Sequence, residues 1–264
     1  MSSSQDRVKG VLLGLAAGDR IGGPINMAIR FAESLSECRR FDKDDLLARY
    51  LAWWREDAFD TGPTTATVLD LVDDGLNINE AARIVHERAG GMTGGCNPTH
   101  RCTPLAMAAF LPDDDLTDHA CSQARLTHLD PVAGEVSSLA THLCRALIRG
   151  TPWDEAVQQL RAKLLSAQTV GIFDPTSNSA LSRDGFAPEV LRAAIWFTSQ
   201  HSSFAAALTA SISFAGPANY CPVLVGAIAG ARWGARMIPA ELLQDCEILG
   251  RAQAAADSLA NDWN

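Results

Sequence analysis

The stretch GVLLGLAAGD, residues 10–19, predicts the centre of the fold. Its glycines recur every fourth residue and therefore fall on one face of a helix. That face carries almost no side chain, so another backbone can come close to it. Gly226, Gly230 and Gly234 repeat the spacing near the other end of the chain. We predict two close-packed central helices, with a site in the polar turns beside them.

Composition predicts an all-α fold in a single domain spanning residues 1–264. The chain is 47% hydrophobic and 20% charged, as is typical of a folded globular protein. Aromatic residues make up only 6%, and the apolar segments are rich in alanine with few β-branched runs. This pattern favours closely packed helices, and we expect roughly a dozen of them.

Charge and cysteine content exclude several classes of partner. The formal net charge of −9 argues against a nucleic-acid-binding surface. The seven cysteines are scattered and include no C-x-x-C pair, which favours reduced thiols. We see no signal peptide at the start and no apolar stretch long enough to span a bilayer. We therefore expect a cytoplasmic protein without a membrane or nucleic-acid partner, and the sequence leaves its oligomeric state open.

The stretch FDTGPTTATVLDL, residues 59–71, predicts a helix whose first turn contains Pro63. Free N–H groups at such a helix start suit a phosphate, a carboxylate or a metal-bound anion. The polar side chains around this start are Asp60, Thr61, Thr64 and Thr65. The alternative is an ordinary capped helix with Asp60 or Thr61 as the N-cap.

Three further stretches carry polar groups on backbone rich in glycine. Asp19 follows Gly18 in a tight turn, which is either a ligand contact or a turn-forming aspartate. Residues 90–104, GGMTGGCNPTHRCTP, read as a loop that either wraps a ligand or is mobile at the surface. Residues 215–220, AGPANY, precede the second glycine-spaced helix.

The order of these motifs resembles the ADP-ribosylglycohydrolase family, an all-helical fold usually built around two magnesium ions. Residues 10–19 look like the opening helix of that family and its G-D turn, and residues 94–105 look like its glycine-rich substrate loop. Residues 127–131, 185–194 and 226–234 match further segments in the same order. The resemblance runs from about Val8 to Pro239 and implies the fold of the family.

The metal motifs of the family are altered in this chain. Its T-D-D-T motif is replaced by Gly62-Pro63-Thr64-Thr65, and its G-D-x-D-[TS] motif by Gly216-Pro217-Ala218-Asn219-Tyr220. Two hard divalent cations need several carboxylate oxygens, so we assign no metal ligands. Asp19 and Asp60 leave room for a single, weakly held magnesium ion at most.

The resemblance implies cleavage of a glycosidic bond in an ADP-ribosyl or related ribosyl or nucleotide substrate, either a small molecule or an ADP-ribosylated partner. Without metal ions a carboxylate must act as the base. The candidate catalytic residues are Asp60, Asp19 and His128, with Asp130 and Asp174 as weaker choices. The candidate substrate-binding residues are Thr61, Thr64, Thr65, Gly94, Gly95, Asn97, His100, Arg101, Gly216, Asn219 and Tyr220, and Arg20 and Arg101 are expected to serve any phosphate.

Two other interpretations remain open at this point. The chain could be an inactive protein that binds ADP-ribose or a nucleotide, or it could catalyse a different reaction on the same scaffold, for example through Cys221 paired with a histidine. An active glycohydrolase should bring Asp60, Asp19 or His128 to one point that water can reach.

Overall fold

The computed structural model describes residues 2–163, 166–173, 181–244 and 246–263. These residues form an all-helical fold, and the only β-type pairing among them is an isolated bridge between Gly95 and Phe186. The helices are α1 (Ser4–Gly18), α2 (Gly23–Cys38), α3 (Lys43–Asp57), α4 (Pro63–Asp73), α5 (Ile78–Arg88), α6 (Asn97–Arg101), α7 (Pro104–Met107), α8 (Leu116–Ala124), α9 (Pro131–Ile148), α10 (Trp153–Arg161), α11 (Ala167–Val170), α12 (Ala187–Gln200), α13 (Phe204–Ala215), α14 (Tyr220–Trp233) and α15 (Leu249–Ala260). The prediction of an all-α fold is confirmed.

Helices α1 and α14 pack backbone against backbone at the centre of the molecule. A Cβ atom added to Gly10 or Gly14 would lie 2.8 or 2.9 Å from the carbonyl carbon of Gly230 or Gly226, respectively. Real Cβ atoms do not come this close, so the two helices meet at a distance that only glycine allows. The pairing of residue 10 with 230 and of 14 with 226 makes the helices antiparallel.

The third contact in this seam is between Gly18 and Pro222 and does not involve Gly234. A Cβ atom on Gly18 would lie 2.8 Å from the carbonyl carbon of Pro222, whereas Gly234 lies beyond the end of the seam. Gly234 instead ends α14 with a positive φ of 91°, a backbone conformation that favours glycine. The spacing of four identified the helix faces correctly, but not the register of the pair.

One large hydrophobic core runs from Val8 in α1 to Trp263 near the end of the described chain. Helices α9, α12, α13 and α15 pack around the α1–α14 pair. A smaller cluster holds α4 to α5 through Val68, Ala82 and Val85. None of the helices in the described ranges is long and apolar enough to cross a membrane.

Several predicted elements differ in detail from the structure. Two short helices, α6 and α7, lie inside the stretch predicted as loop, because each has a proline in its first turn, where the missing N–H is harmless. Near the end of the described chain, a 3-10 turn, Ala240–Leu243, precedes α15. The N-cap of α4 is Gly62, which makes no side-chain capping bond, so neither Asp60 nor Thr61 caps this helix.

The seam predicts a large difference between two glycine-to-alanine substitutions in helices. Gly14→Ala places a methyl group against the Gly226 carbonyl, and we expect it to lower the free energy of unfolding by about 3 kcal/mol. Gly250→Ala in α15 meets no atom within 4 Å and should leave stability unchanged or raise it by less than about 1 kcal/mol. Urea unfolding of both variants measures the difference, and equal stabilities would contradict the close approach of α1 and α14.

Candidate active site

The antiparallel pair brings the polar turn that follows α1 next to the polar turn that precedes α14. Helix α1 ends at Gly18 with Asp19 as its C-cap, and α14 begins after its N-cap, Asn219. The Nδ2 atom of Asn219 donates a hydrogen bond of 2.7 Å to Oδ1 of Asp19, although the two residues are 200 positions apart in the chain. The seam therefore positions the two turns that form the site.

Asp19 is held in place by the start of α2. Its Oδ1 accepts a hydrogen bond from the backbone N–H of Gly22 at 2.8 Å, and its Oδ2 accepts one from the N–H of Ile25 at 2.8 Å. The carboxylate thereby caps the N-terminus of α2, where a negative charge is favourable. Asp19 is therefore an anchored member of the site with little freedom to rotate.

Asn219 joins the two aspartates of the site. It is only 7% exposed, and a second side-chain hydrogen bond links it to Asp60. Its Oδ1 accepts from the backbone N–H of Arg20 at 3.2 Å, which fixes its NH₂ group toward the carboxylates. A neutral amide therefore lies between Asp19 and Asp60 and donates to both.

Asp60 is the accessible carboxylate of the pair. It precedes α4 with a positive φ of 51°, which aspartate tolerates better than most residues. Partial desolvation and the charge of Asp19 raise the pKa of Asp60 to about 6, although hydrogen bonds from Asn219 and the backbone of Gly23 act in the opposite direction. Asp60 can therefore accept a proton close to neutral pH, as a general base does.

Arg20 organises the loop between α13 and α14. Its Nη1 donates to the carbonyl oxygen of Gly216 at 2.8 Å, and its Nη2 donates to that of Ala218. Gly216 is exposed and ends α13 with a φ of 61°. The guanidinium of Arg20 thus binds backbone carbonyls, which leaves it less available to a phosphate than the sequence suggested.

Asn97 connects the start of α4 to the short helix α6. Its Oδ1 accepts hydrogen bonds from Oγ1 of Thr65 at 3.1 Å and from Nη1 of Arg101 at 3.0 Å. Thr65 is fully buried and Thr61 is 4% exposed, whereas Thr64 is partly exposed. Of the three threonines, Thr64 has the most accessible hydroxyl.

His100 and Arg101 are buried in this segment and form hydrogen bonds within the protein. Nε2 of His100 lies 2.9 Å from the carbonyl oxygen of Tyr220, and burial lowers the pKa of this histidine to about 4. Arg101 is fully buried, and its guanidinium donates to Gln123 and Thr127 as well as to Asn97. Neither side chain reaches the open site in this structure.

His128 is also enclosed by protein. It is 3% exposed, its Nδ1 lies 2.8 Å from Oγ1 of Thr127, and Thr127 accepts from Arg101 in turn. Burial and the charge of Arg101 lower the pKa of His128 to about 3, so the imidazole is neutral at pH 7. Its ring lies against the backbone of Gly95, and it suits a supporting role better than proton transfer.

The remaining candidates are separated from the Asp60 cluster by their contacts. Asp130 caps α9 through its bond to the N–H of Val132, and Asp174 lies outside the described residues. Cys221 is 4% exposed, and burial raises the pKa of its thiol, which disfavours a reactive thiolate. Gly94 is buried beside Asp130 and bonds through its carbonyl to the N–H of Ala187.

Sequence reasoning missed an apolar rim around the site. Tyr220, a predicted substrate-binding residue, is 43% exposed. The large hydrophobic side chains of Ile21, Phe59 and Phe186, which were not predicted as site residues, also stay exposed. Each is a close sequence neighbour of a residue already singled out, and this proximity is the signal that could have identified them. Exposed apolar groups that surround a polar centre are typical of a binding surface.

A cavity of about 510 Å³ opens beside Asp19 on the side of Phe59. Trp53 and Phe59 pack edge to face in its wall, with ring centroids 6.1 Å apart, and Glu56 and Asp57 line it as well. The cavity thus has room for a small molecule next to Asp19, and Asp60 is not among the residues that line it.

The side chains present do not fit a pair of magnesium ions. Within the described ranges no three His, Cys, Asp or Glu side chains gather closely enough to hold a metal ion. Asp19 already accepts backbone N–H bonds, and Asn219 directs an NH₂ donor where a cation would need an oxygen ligand. The site satisfies its carboxylates with amide hydrogens.

The described residues form an all-helical core, with Asp19 at the end of its first central helix and Asp60 just before α4. The family model for ADP-ribosylglycohydrolase matches residues 25–264, and the chain belongs to that family.

Comparison with solved structures supports the same fold. A structure described as an ADP-ribosylglycohydrolase-related protein complex superposes with a TM-score of 0.80 at 24% identity, over 99% of each chain. No curated protein sequence matches the chain.

The raised pKa of Asp60 predicts a pH-dependent effect of Asp60→Asn on stability. Between pH 3.8 and about 6 the folded protein holds more protons than the unfolded chain, so the wild type loses stability as the pH rises through this window. Asparagine tolerates the left-handed backbone at position 60 and carries no charge. We expect Asp60→Asn to have a higher Tm than the wild type at pH 7 and the same Tm near pH 4, measured by calorimetry.

The control for this measurement is Asp70→Asn, which removes an exposed carboxylate from α4, the helix that follows Asp60. It should change the Tm little at either pH. A Tm difference for Asp60→Asn that is equal at pH 4 and pH 7 would contradict the raised pKa.

Proposed function

We propose that this protein is a glycohydrolase that cleaves a glycosidic bond of an ADP-ribosyl or related ribosyl-nucleotide substrate, with Asp60 as its base. Membership of the family supports a hydrolase-like function. The observation that carries the finer proposal is the accessible Asp60 carboxylate, joined to the anchored Asp19 through the amide of Asn219.

In the proposed reaction, water attacks the anomeric carbon of the ribosyl group through an oxocarbenium-like transition state. Asp60 takes a proton from that water as its oxygen bonds to the carbon. The bond to the leaving group breaks, and its electron pair departs with that group. The Asp19 carboxylate, held at the start of α2, stabilises the developing positive charge.

Asn219 is a positioning residue in this mechanism. Its NH₂ group fixes the distance and orientation between the two carboxylates. The bond from Arg20 to its Oδ1 sets which end of the amide faces the aspartates. Replacing Asn219 with a residue that lacks this NH₂ group would leave two carboxylates in mutual repulsion.

Of the predicted substrate-binding residues, those exposed or partly exposed are the ones we propose to face the substrate: Thr64, Gly95, Gly216 and Tyr220. Tyr220 follows Asn219 directly, and its ring lies over the backbone of Gly185. The buried residues Thr61, Thr65, Gly94, His100 and Arg101, together with the partly exposed Asn97, support the walls of the site from behind.

A cytoplasmic location is part of this proposal. All seven cysteines are free in the structure, including the four buried thiols Cys96, Cys102, Cys144 and Cys221. Unpaired thiols in this number suit a reducing compartment.

The second candidate function is an inactive protein that binds ADP-ribose or a nucleotide. The observation that favours it is the replacement of metal-motif aspartates by Pro63 and Pro217, which offer no ligand atoms in their side chains. Such a protein would bind the nucleotide without turnover in both wild type and Asp60→Asn.

Asp60→Asn tests the proposed base. We expect it to lower turnover of an ADP-ribosylated substrate at least about 100-fold, because it removes general-base catalysis. Binding of ADP-ribose should change little, since the walls of the site are kept. Asp70→Asn, the matched carboxylate on the outside of α4, should retain full turnover. Product release followed by chromatography measures the rates, and unimpaired turnover by Asp60→Asn would refute the role of Asp60.

Magnesium dependence provides an independent test. Because amide hydrogens already satisfy Asp19 and Asp60, we expect the same rate with EDTA and with added magnesium. The measurement is the initial rate of ADP-ribose release under both conditions, with a magnesium-dependent member of the family as the positive control. A rate that rises with magnesium and saturates would show that a metal ion binds despite this donor set.

A further inference from the structure

A second polar cavity lies at the opposite end of α9 from the candidate active site. It measures about 250 Å³ and is lined by residues of α9 and α10 and by the loop at Asp113. The first turn of α9 packs against Gly94 through Val132, whereas the cavity is formed by the last two turns, around Arg145. At 1.5 Å per residue these two ends are about 20 Å apart.

Arg145 lines this cavity and has unused hydrogen-bond donors. It is only 2% exposed, and its Nη2 lies 2.9 Å from the carbonyl oxygen of Ala108 and within 3.3 Å of those of Leu105 and Leu111. Its Nε and Nη1 have no hydrogen-bond partner. Asp113 lies 3.6 Å from Nε, which is within ion-pairing distance but too far for a hydrogen bond. Unpaired donors on a buried guanidinium are costly, and an oxyanion would satisfy them.

The charges around the cavity favour an anion. Three cationic side chains line it, Arg145, Arg149 and Lys163, against the two carboxylates Asp113 and Asp114. Asp113 is paired mainly with Arg149, which donates a hydrogen bond to it through each of its Nη atoms. A local excess of positive charge in a chain with a net charge of −9 is unusual enough to indicate a specific use.

His142 adds a neutral hydrogen-bonding group to the same wall. Its Nε2 lies 3.0 Å from Oγ1 of Thr117, and burial together with the charges of Lys163 and Arg145 lowers its pKa to about 4. At pH 7 His142 is therefore uncharged and adds nothing to the electrostatic attraction for an anion. Its ring can serve as a spectroscopic probe of the cavity.

We propose that this cavity is an oxyanion-binding site that takes the phosphate or carboxylate group of a small anionic ligand, with Arg145 and Lys163 as its cationic contacts. A volume of about 250 Å³ suits a phosphate, a pyrophosphate or a sugar phosphate, and it falls below the range of about 300–1,000 Å³ for larger ligands. The site is independent of the glycohydrolase function proposed above.

The test is calorimetric titration of the full chain with inorganic phosphate and with pyrophosphate in chloride buffer. We expect saturable binding by the wild type. Lys163→Glu reverses an exposed charge at the cavity without disturbing the core, and should weaken binding about tenfold. Lys43→Glu makes the same charge change away from the cavity, at the start of α3, and should alter the affinity less than about twofold.

A second readout locates the ligand. The ring resonances of His142 should shift on addition of phosphate, and those of His128 should not. Asp60→Asn should bind phosphate as the wild type does, which separates this site from the candidate active site. Titration with ADP and with citrate distinguishes a nucleotide phosphate, a free phosphate and a carboxylate as the preferred source of the oxyanion.

Several results would overturn the proposal. One is the absence of saturable binding of phosphate, pyrophosphate, ADP or citrate up to about 10 mM. Another is unchanged affinity in Lys163→Glu, or a loss of affinity in Lys43→Glu of the same size. Binding that disappears in Asp60→Asn would assign the anion to the candidate active site instead.

Discussion

The backbone contact between α1 and α14 is the constraint on which the rest of the structure depends. Because Gly10 and Gly14 meet Gly230 and Gly226 with no side chains between them, the two helices can neither separate nor slide without breaking close packing. This contact also fixes the ends of the helices. Asp19 and the amide of Asn219 therefore form a hydrogen bond of 2.7 Å although they are 200 residues apart in the sequence. The packed helix ends hold the two side chains in this geometry.

The site shows how a neutral amide can take the place of a charged centre between two carboxylates. A cation between Asp19 and Asp60 would favour the ionised form of both. Asn219 offers each a hydrogen bond but no net charge, so the repulsion from Asp19 persists and the pKa of Asp60 stays raised, near 6. In this arrangement the protein itself provides a carboxylate that exchanges a proton near neutral pH.

The fold could be predicted from the sequence, because glycine spacing and the order of motifs are local properties of the chain, whereas the place of the site stays a prediction from the same motifs. The register of the seam could not, since only packing decides that Pro222, rather than Gly234, lies opposite Gly18. The sequence also did not predict which of the polar candidate residues are buried. His128 and Arg101 have the residue types of a catalytic or phosphate-binding group, but long-range contacts enclose both of them.

The loss of metal ligands restricts the chemistry available to the proposed glycohydrolase. A divalent cation would stabilise negative charge on the departing group and activate water. Asp60 can perform only the second task, and His128, which is buried and neutral, offers no proton to a leaving group. The proposed reaction must therefore rely on a leaving group that departs without protonation, such as a ring nitrogen that already carries positive charge. Glu56 and Asp57 beside Trp53 and Phe59 form the kind of acidic, aromatic wall that would stabilise such a cation before the bond breaks.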